Sequence, residues 1–189
     1  MVVGDGEEQV HAETLGQWRD WLAAHHADRT GAWLVSWRSG TGRPCVDYEE
    51  AVVEALAVGW IDSVARTLDE ERRAQRFSPR KPGSGWAATN KARVARLVAE
   101  GRMQPTGQAL VEAAKADGSW TLYDDVEALV VPEDLDSALA RAGLRAAWDA
   151  WPPSVRKQAL ASLVNAKRPE TRARRVEAVV GHLEAGTRP

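Results

Sequence analysis

The chain has 189 residues, 28% of them charged, with 25 Lys and Arg against 27 Asp and Glu for a formal net charge of -2. Such a length buries a core without staples, and the near balance of charge excludes both a generally polyanion-binding basic protein and an acidic disordered one. One cysteine, Cys45, excludes an internal disulfide and a multi-cysteine zinc site, and it fits a reducing compartment.

Residues 1–13 are polar and acidic, without the basic start and apolar run of a signal peptide, and read as a flexible N-terminus. No apolar run is long enough to span a bilayer, so a cytoplasmic protein without direct membrane insertion is expected. From Thr14 to Ala27, Leu15, Trp18, Trp21 and Leu22 recur at helical spacing. Ala32 to Arg38 is short, aromatic and β-rich, and it reads as a strand entering the loop Ser39-Gly40-Thr41-Gly42. Asp47 with Glu50 has the spacing of a capping box before the helical face Ala51, Val52, Ala55 and Leu56, and Gly59 sits where that helix should stop.

Ser63 to Leu68 and Arg72 to Ser78 pair as two strands around Asp69-Glu70-Glu71. A helix is expected from Ser84, as its N-cap, to Glu100, and another from Pro105 toward Gly118. Asp117 to Val131 reads as a connector. Helices then follow over 133–142, 144–151, 153–166 and 169–185, separated by Gly143, Pro152-Pro153 and Lys167-Arg168. The fold class is α+β: a small antiparallel β-sheet packed with helices over 14–131, followed by a helical segment over 132–189.

Two stretches carry the candidate chemistry. In the first, Trp60 and Asp62 precede Arg76-Phe77-Ser78-Pro79-Arg80-Lys81, a basic segment whose prolines and glycines run on to Trp86. Such a loop restricts its backbone, allows close approach and supplies donors without acceptors, which suits an anion. Asn90 lies one turn beyond Trp86 and is expected on the buried side of its helix, either bracing the loop or facing a ligand. The second stretch, Asn165 to Arg175, holds Lys167, Arg168, Arg172, Arg174 and Arg175 against Glu170 alone. There Arg168, Arg172 and Arg175 fall at i, i+4 and i+7, in line with Val179. These arginines either pair with acidic groups such as Asp62, Asp69, Glu70 and Glu71 or converge with the first stretch on one anionic group.

Other chemistry has less to stand on. His25 and His26 are adjacent and diverge on a helix, so no metal site is expected. Without a P-loop, a Rossmann glycine fingerprint, HExxH or GxSxG, no cofactor is expected either. Asp62 is the weak candidate for a catalytic acid or base. Nucleic acid is not an expected partner, because the basic patches are local.

The Gly59-Trp60-Ile61-Asp62 turn followed by Arg76-Phe77-Ser78-Pro79-Arg80-Lys81 resembles the YdeI/OmpD-associated family, also called bacteriocin-protection or OmdA-domain proteins. Further shared elements are Trp33-Leu34-Val35, Tyr48 to Val52, Glu100 to Met103 with Pro105, Pro152-Pro153-Ser154, and Ala166 to Arg172. The resemblance covers most of the chain. Ser63 departs from it, standing where a glycine is often found, and so does Ala87-Ala88, which replaces a more polar helix start. It implies a cytoplasmic α+β domain with a helical OmdA segment, a role in antimicrobial-peptide tolerance and an association with an outer-membrane porin; it brings no catalytic residues.

The sequence therefore leads to a stress-tolerance protein that binds an anionic small molecule or an acidic protein group. The expected site is Trp60, Asp62, Arg76, Ser78, Arg80, Lys81, Trp86 and Asn90 with Lys167, Arg168 and Arg172. The alternatives are an enzyme of small-molecule or natural-product metabolism using Asp62 in the same pocket, and a protein–protein interaction module.

Overall fold

The computed structural model describes residues 6–188. The first five residues of the expected flexible N-terminus lie outside the described residues. The chain divides into two compact units, one built from residues up to Ser84 together with Thr89–Gly118, the other from Gly85–Ala88 together with residues from Ser119 onward.

The first unit holds β1 (Glu8–His11), α1 (Leu15–His25), β2 (Ala32–Trp37), α2 (Tyr48–Ala57), β3 (Trp60–Thr67), β4 (Arg72–Pro79), nearly all of α3 (Ala88–Ala99) and α4 (Pro105–Ala116). Its sheet runs β1-β2-β4-β3. The pairs β2–β4 and β3–β4 are antiparallel, as expected, but β1 joins β2 in parallel and makes the sheet mixed. β1 falls inside the segment expected to be flexible: Glu8-Gln9-Val10-His11 has one apolar residue and becomes a strand by pairing with the edge of β2.

Local signals explain the other elements. Thr14 caps α1 in a full capping box with Gln17. The Asp47 side chain accepts from Glu50 N–H at the start of α2, and Gly59 adopts a φ of 86° at its end, a conformation that favours glycine. The core under one sheet face is aromatic. Trp18, fully buried, donates its indole N–H to the Ala51 carbonyl at 3.1 Å and packs on Phe77 and Trp21, with ring centroids at 5.1 and 5.4 Å. Trp60 donates to the His26 carbonyl at 3.1 Å.

Helix α3 starts at Ala88, so Ser84 is not its N-cap. Gly85 and Trp86 precede the helix and belong to the second unit, where the Trp86 and Trp120 rings sit 5.0 Å apart and a Cβ on Gly85 would stand 2.7 Å from the Tyr123 ring.

The second unit is helical: α5 (Asp124–Glu127), α6 (Glu133–Ala142), α7 (Arg145–Asp149), α8 (Pro153–Val164) and α9 (Pro169–Glu184). Pro153 and Pro169 each take a position in the first turn, where a missing N–H costs nothing. Leu135, Leu139, Trp148, Leu160, Leu163 and Val179 form the centre of its core. No described helix is long and apolar enough to cross a membrane.

Candidate functional site

Strand geometry separates the residues that the sequence brings together. Side chains alternate between sheet faces, and directly paired residues share a face. Asp62 pairs with Phe77 and Trp60 with Pro79, so Trp60 and Asp62 lie on the helix-covered face; Arg76 and Ser78, the odd steps between, lie on the other. Asp62 and Arg76 therefore cannot point at one ligand.

Most of these side chains also have local work. Trp60 is 1% exposed with its N–H engaged. Asp62 accepts the Tyr48 hydroxyl at 2.6 Å, and burial together with this carboxylate pushes the Tyr48 phenol up to about 12. Arg76 forks onto Glu7 at 2.7 and 2.5 Å, which holds that carboxyl below its ordinary range, and Gly31 leaves the room for this pair. Arg80 is buried and donates to the Ser84 carbonyl at 3.3 Å, bracing its own loop, while Lys81 is exposed. Asn90 is half-buried and accepts from Arg93 at 2.6 Å, a bracing role; the late start of α3 removes it from the register of Trp86.

In the second unit, Lys167 and Arg168 are exposed. Arg172 pairs with Asp134, rather than with the acids near the hairpin, at 2.5 and 2.9 Å, and it donates to the Leu163 carbonyl at 3.2 Å. Arg175 donates to the Ser162 carbonyl. The two guanidiniums thus cover the negative C-terminal end of α8.

A cavity within the first unit lies elsewhere. It has a volume of about 910 Å³ and lies in the first unit among α1, the C-terminal end of α2 and the segment from Gly101 to Thr106 that opens α4. Leu22, Ala57 and Val58 give it an apolar floor, and its polar wall is Arg19, Asp20, His26, Glu54, Arg102 and Thr106. Glu54 is 5% exposed, yet two guanidiniums clasp it. Arg19 bonds through Nε at 2.9 Å and Nη2 at 2.6 Å, and Arg102 through Nη2. Burial raises the Glu54 carboxyl, but the two arginines outweigh it and the net shift is downward; Glu54 in turn holds Arg19 firmly cationic.

The clasp belongs to a longer ladder. Arg102 Nη1 reaches Glu100 at 2.6 Å, Arg96 reaches Glu100 at 2.9 Å, and Arg96 also reaches Glu50 at 2.8 Å. Alternating charges thus tie α1 and α2 to α3 and the connector after it. Nη1 of Arg19 and Nε of Arg102 stay outside the clasp. His26 Nδ1 lies 2.9 Å from the Leu22 carbonyl, an acceptor only, so Nδ1 carries the proton and Nε2 is the remaining nitrogen. At the start of α4, Gln104 makes no side-chain cap bond, so Thr106 brings an uncapped helix N-terminus to the same wall.

None of these wall residues was expected in the site from the sequence, where His26 was weighed only as a metal ligand and Arg102 only as part of the resemblance, although one signal was present. Glu54 interrupts the apolar run Ala51-Val52-Val53 and Ala55-Leu56-Ala57, and a carboxylate inside such a run needs cationic partners. Its partners, 35 and 48 positions away, have no local signature. Among the described residues no group of three His, Cys, Asp or Glu is arranged to hold a metal.

Residues 10–110, more than half of the chain, match a family described as a domain of unknown function, DUF8412. Residues 128–186 match the family described as bacteriocin-protection, YdeI or OmpD-associated, OmdA. The chain belongs to the DUF8412 family and carries an OmdA domain. The expected OmdA resemblance is therefore met in the helical unit, where Pro152-Pro153-Ser154 and Ala166 to Arg172 lie. The Gly-Trp-Ile-Asp turn and the Phe-Ser-Pro-Arg-Lys loop fall in the DUF8412 stretch, which also contains the whole cavity wall. Neither a curated protein nor a solved structure matches the chain.

Proposed function

We propose that the chain is a tolerance protein of the bacteriocin-protection type that acts by binding, and that its DUF8412 unit takes a small molecule bearing an acidic group. The description of the OmdA family supports the first half. The second rests on one observation: Arg19 and Arg102, each with a guanidinium nitrogen outside the Glu54 clasp, line the same cavity as the uncapped start of α4. A carboxylate or phosphate there meets the outer nitrogens of two guanidiniums that Glu54 holds in place, with Asp20 on the same wall, and a positive helix end, while Leu22, Ala57 and Val58 take an apolar body. A cytoplasmic setting belongs to this reading and draws on the lone cysteine.

Acid–base chemistry at Asp62 has weaker support. One of its oxygens is engaged by Tyr48, and it does not line the cavity.

The test is native mass spectrometry of the chain purified from its own host, beside an Ala23→Trp variant. Ala23 is an exposed residue of α1 on the cavity wall, so the indole fills the space without entering the core. A co-purifying acidic mass on the parent chain that disappears from Ala23→Trp is expected. An acidic mass retained by both places the ligand outside the cavity.

A further inference from the structure

We propose that the OmdA domain docks a cationic amphipathic helix in the groove between α6 and α9. This does not rest on the cavity of the DUF8412 unit. The groove has a volume of about 750 Å³ and follows α9 from Pro169 to Glu184, fifteen steps or about 22 Å at the helical rise. That is an elongated trough, long enough for about four turns of a second helix.

The surface of α9 is shaped for this occupant. Arg172, Val176, Val180 and Glu184 form one row at intervals of four, and Ala173, Glu177 and Gly181 form the next. Ridges of this kind accept those of a second helix. Half-buried Val180 with exposed Ala142 and Ala173 gives the apolar contact, over a floor of Val176 and Ala138 that belongs to the unit's own core. At Gly181 an added Cβ would meet nothing within 4 Å, so a partner backbone can approach closely there.

Charge decides the kind of helix. Of the charged residues lining the groove, Asp134 and Arg172 neutralise each other. Glu177, Glu184 and Arg141 are left, exposed, with no ion pair among the described residues. The two carboxylates stand seven residues apart on α9, about 10.5 Å along its axis. A partner with Lys or Arg seven residues apart beside an apolar stripe meets both.

The test uses the full chain and a synthetic 15-residue peptide with Leu and Ala at the heptad contact positions and lysines seven apart. Its twin carries Glu at the lysine positions. Fluorescence anisotropy of labelled peptide gives the affinity, and peptide circular dichroism reports helix formation. The lysine peptide is expected to bind as a helix, and Glu177→Lys with Glu184→Lys to weaken it about tenfold. Gly181→Trp, which fills the trough without touching the core, is expected to abolish binding while leaving the Tm unlowered. Equal binding of the Glu twin, no binding of the lysine peptide, or binding that survives Gly181→Trp overturns the proposal. So does a dimer of the free chain that Gly181→Trp dissociates, because the occupant is then a second copy.

Discussion

Replacing Glu54 by glutamine tests the clasp on which the cavity wall depends. The carboxylate is 5% exposed, whereas its partners are unequal: Arg19 is 54% exposed and Arg102 28%. Breaking a buried ion pair costs several kcal/mol when the surviving charge stays in the dry interior, but here both guanidiniums can turn toward water. Glutamine keeps the shape and one acceptor oxygen. We therefore expect a loss of about 2–3 kcal/mol, the scale of hydrogen bonds to charged groups. Urea unfolding followed by tryptophan fluorescence reads the difference. The pH dependence fixes its origin: the folded carboxyl titrates below its ordinary value of 4.5, so its contribution is complete above that value and is lost as pH falls through the lower folded one. The gap between parent and Glu54→Gln is expected to stay constant from neutrality down to that value and then to shrink. Exchanging Glu54 for Leu together with Arg19 and Arg102 for Met is expected to restore most of the stability. An unchanged urea midpoint for Glu54→Gln, or a gap that widens in acid, refutes the reasoning.

Two glycines predict opposite outcomes from the same substitution. Gly107→Ala places a Cβ 2.3 Å from the Ala57 carbonyl oxygen, so α4 must shift from the end of α2 and the stability read by urea unfolding is expected to fall by more than about 1 kcal/mol. Gly181→Ala meets nothing and relieves a glycine within α9; it is expected to raise stability by about 0.5–1 kcal/mol. Spectrophotometric titration is expected to show one tyrosine ionising near 12, returned toward the ordinary 10 by Asp62→Asn. Because that folded value is raised, the Tyr48 contribution to stability is complete below pH 10 and is lost as pH rises toward 12.

Much of the architecture is legible in the sequence because its signals are local. The Asp47 cap, the stop at Gly59, the hairpin around Asp69-Glu70-Glu71 and the proline starts of α8 and α9 each depend on a few neighbouring residues. Strand β1 and the delayed start of α3 are not legible. One exists through pairing with β2, the other through the packing of Trp86 beside Trp120.

The candidate site divides along the same line. Chemistry read from the basic residues identified groups that the fold spends on itself: Arg76 on Glu7, Arg172 on Asp134 and on the end of α8. A guanidinium looks alike in sequence whether it holds a ligand or a neighbouring carboxylate, and only the register of β3 and β4 shows that Asp62 and Arg76 face apart. Glu54 is the counterexample, because a carboxylate embedded in an apolar helix announces both burial and cationic partners before any coordinates exist.

The central claim, an acidic ligand in the DUF8412 cavity, is tested most directly by thermal shift of the full chain against a panel of small carboxylates and phosphates. Ala23→Trp is the plugged form and Gly181→Trp the control in the other unit. The account predicts that at least one acidic compound raises the Tm of the parent and of Gly181→Trp in a saturable way and leaves Ala23→Trp unmoved. Equal stabilisation of Ala23→Trp, or no stabilisation of the parent by any acidic compound, contradicts it.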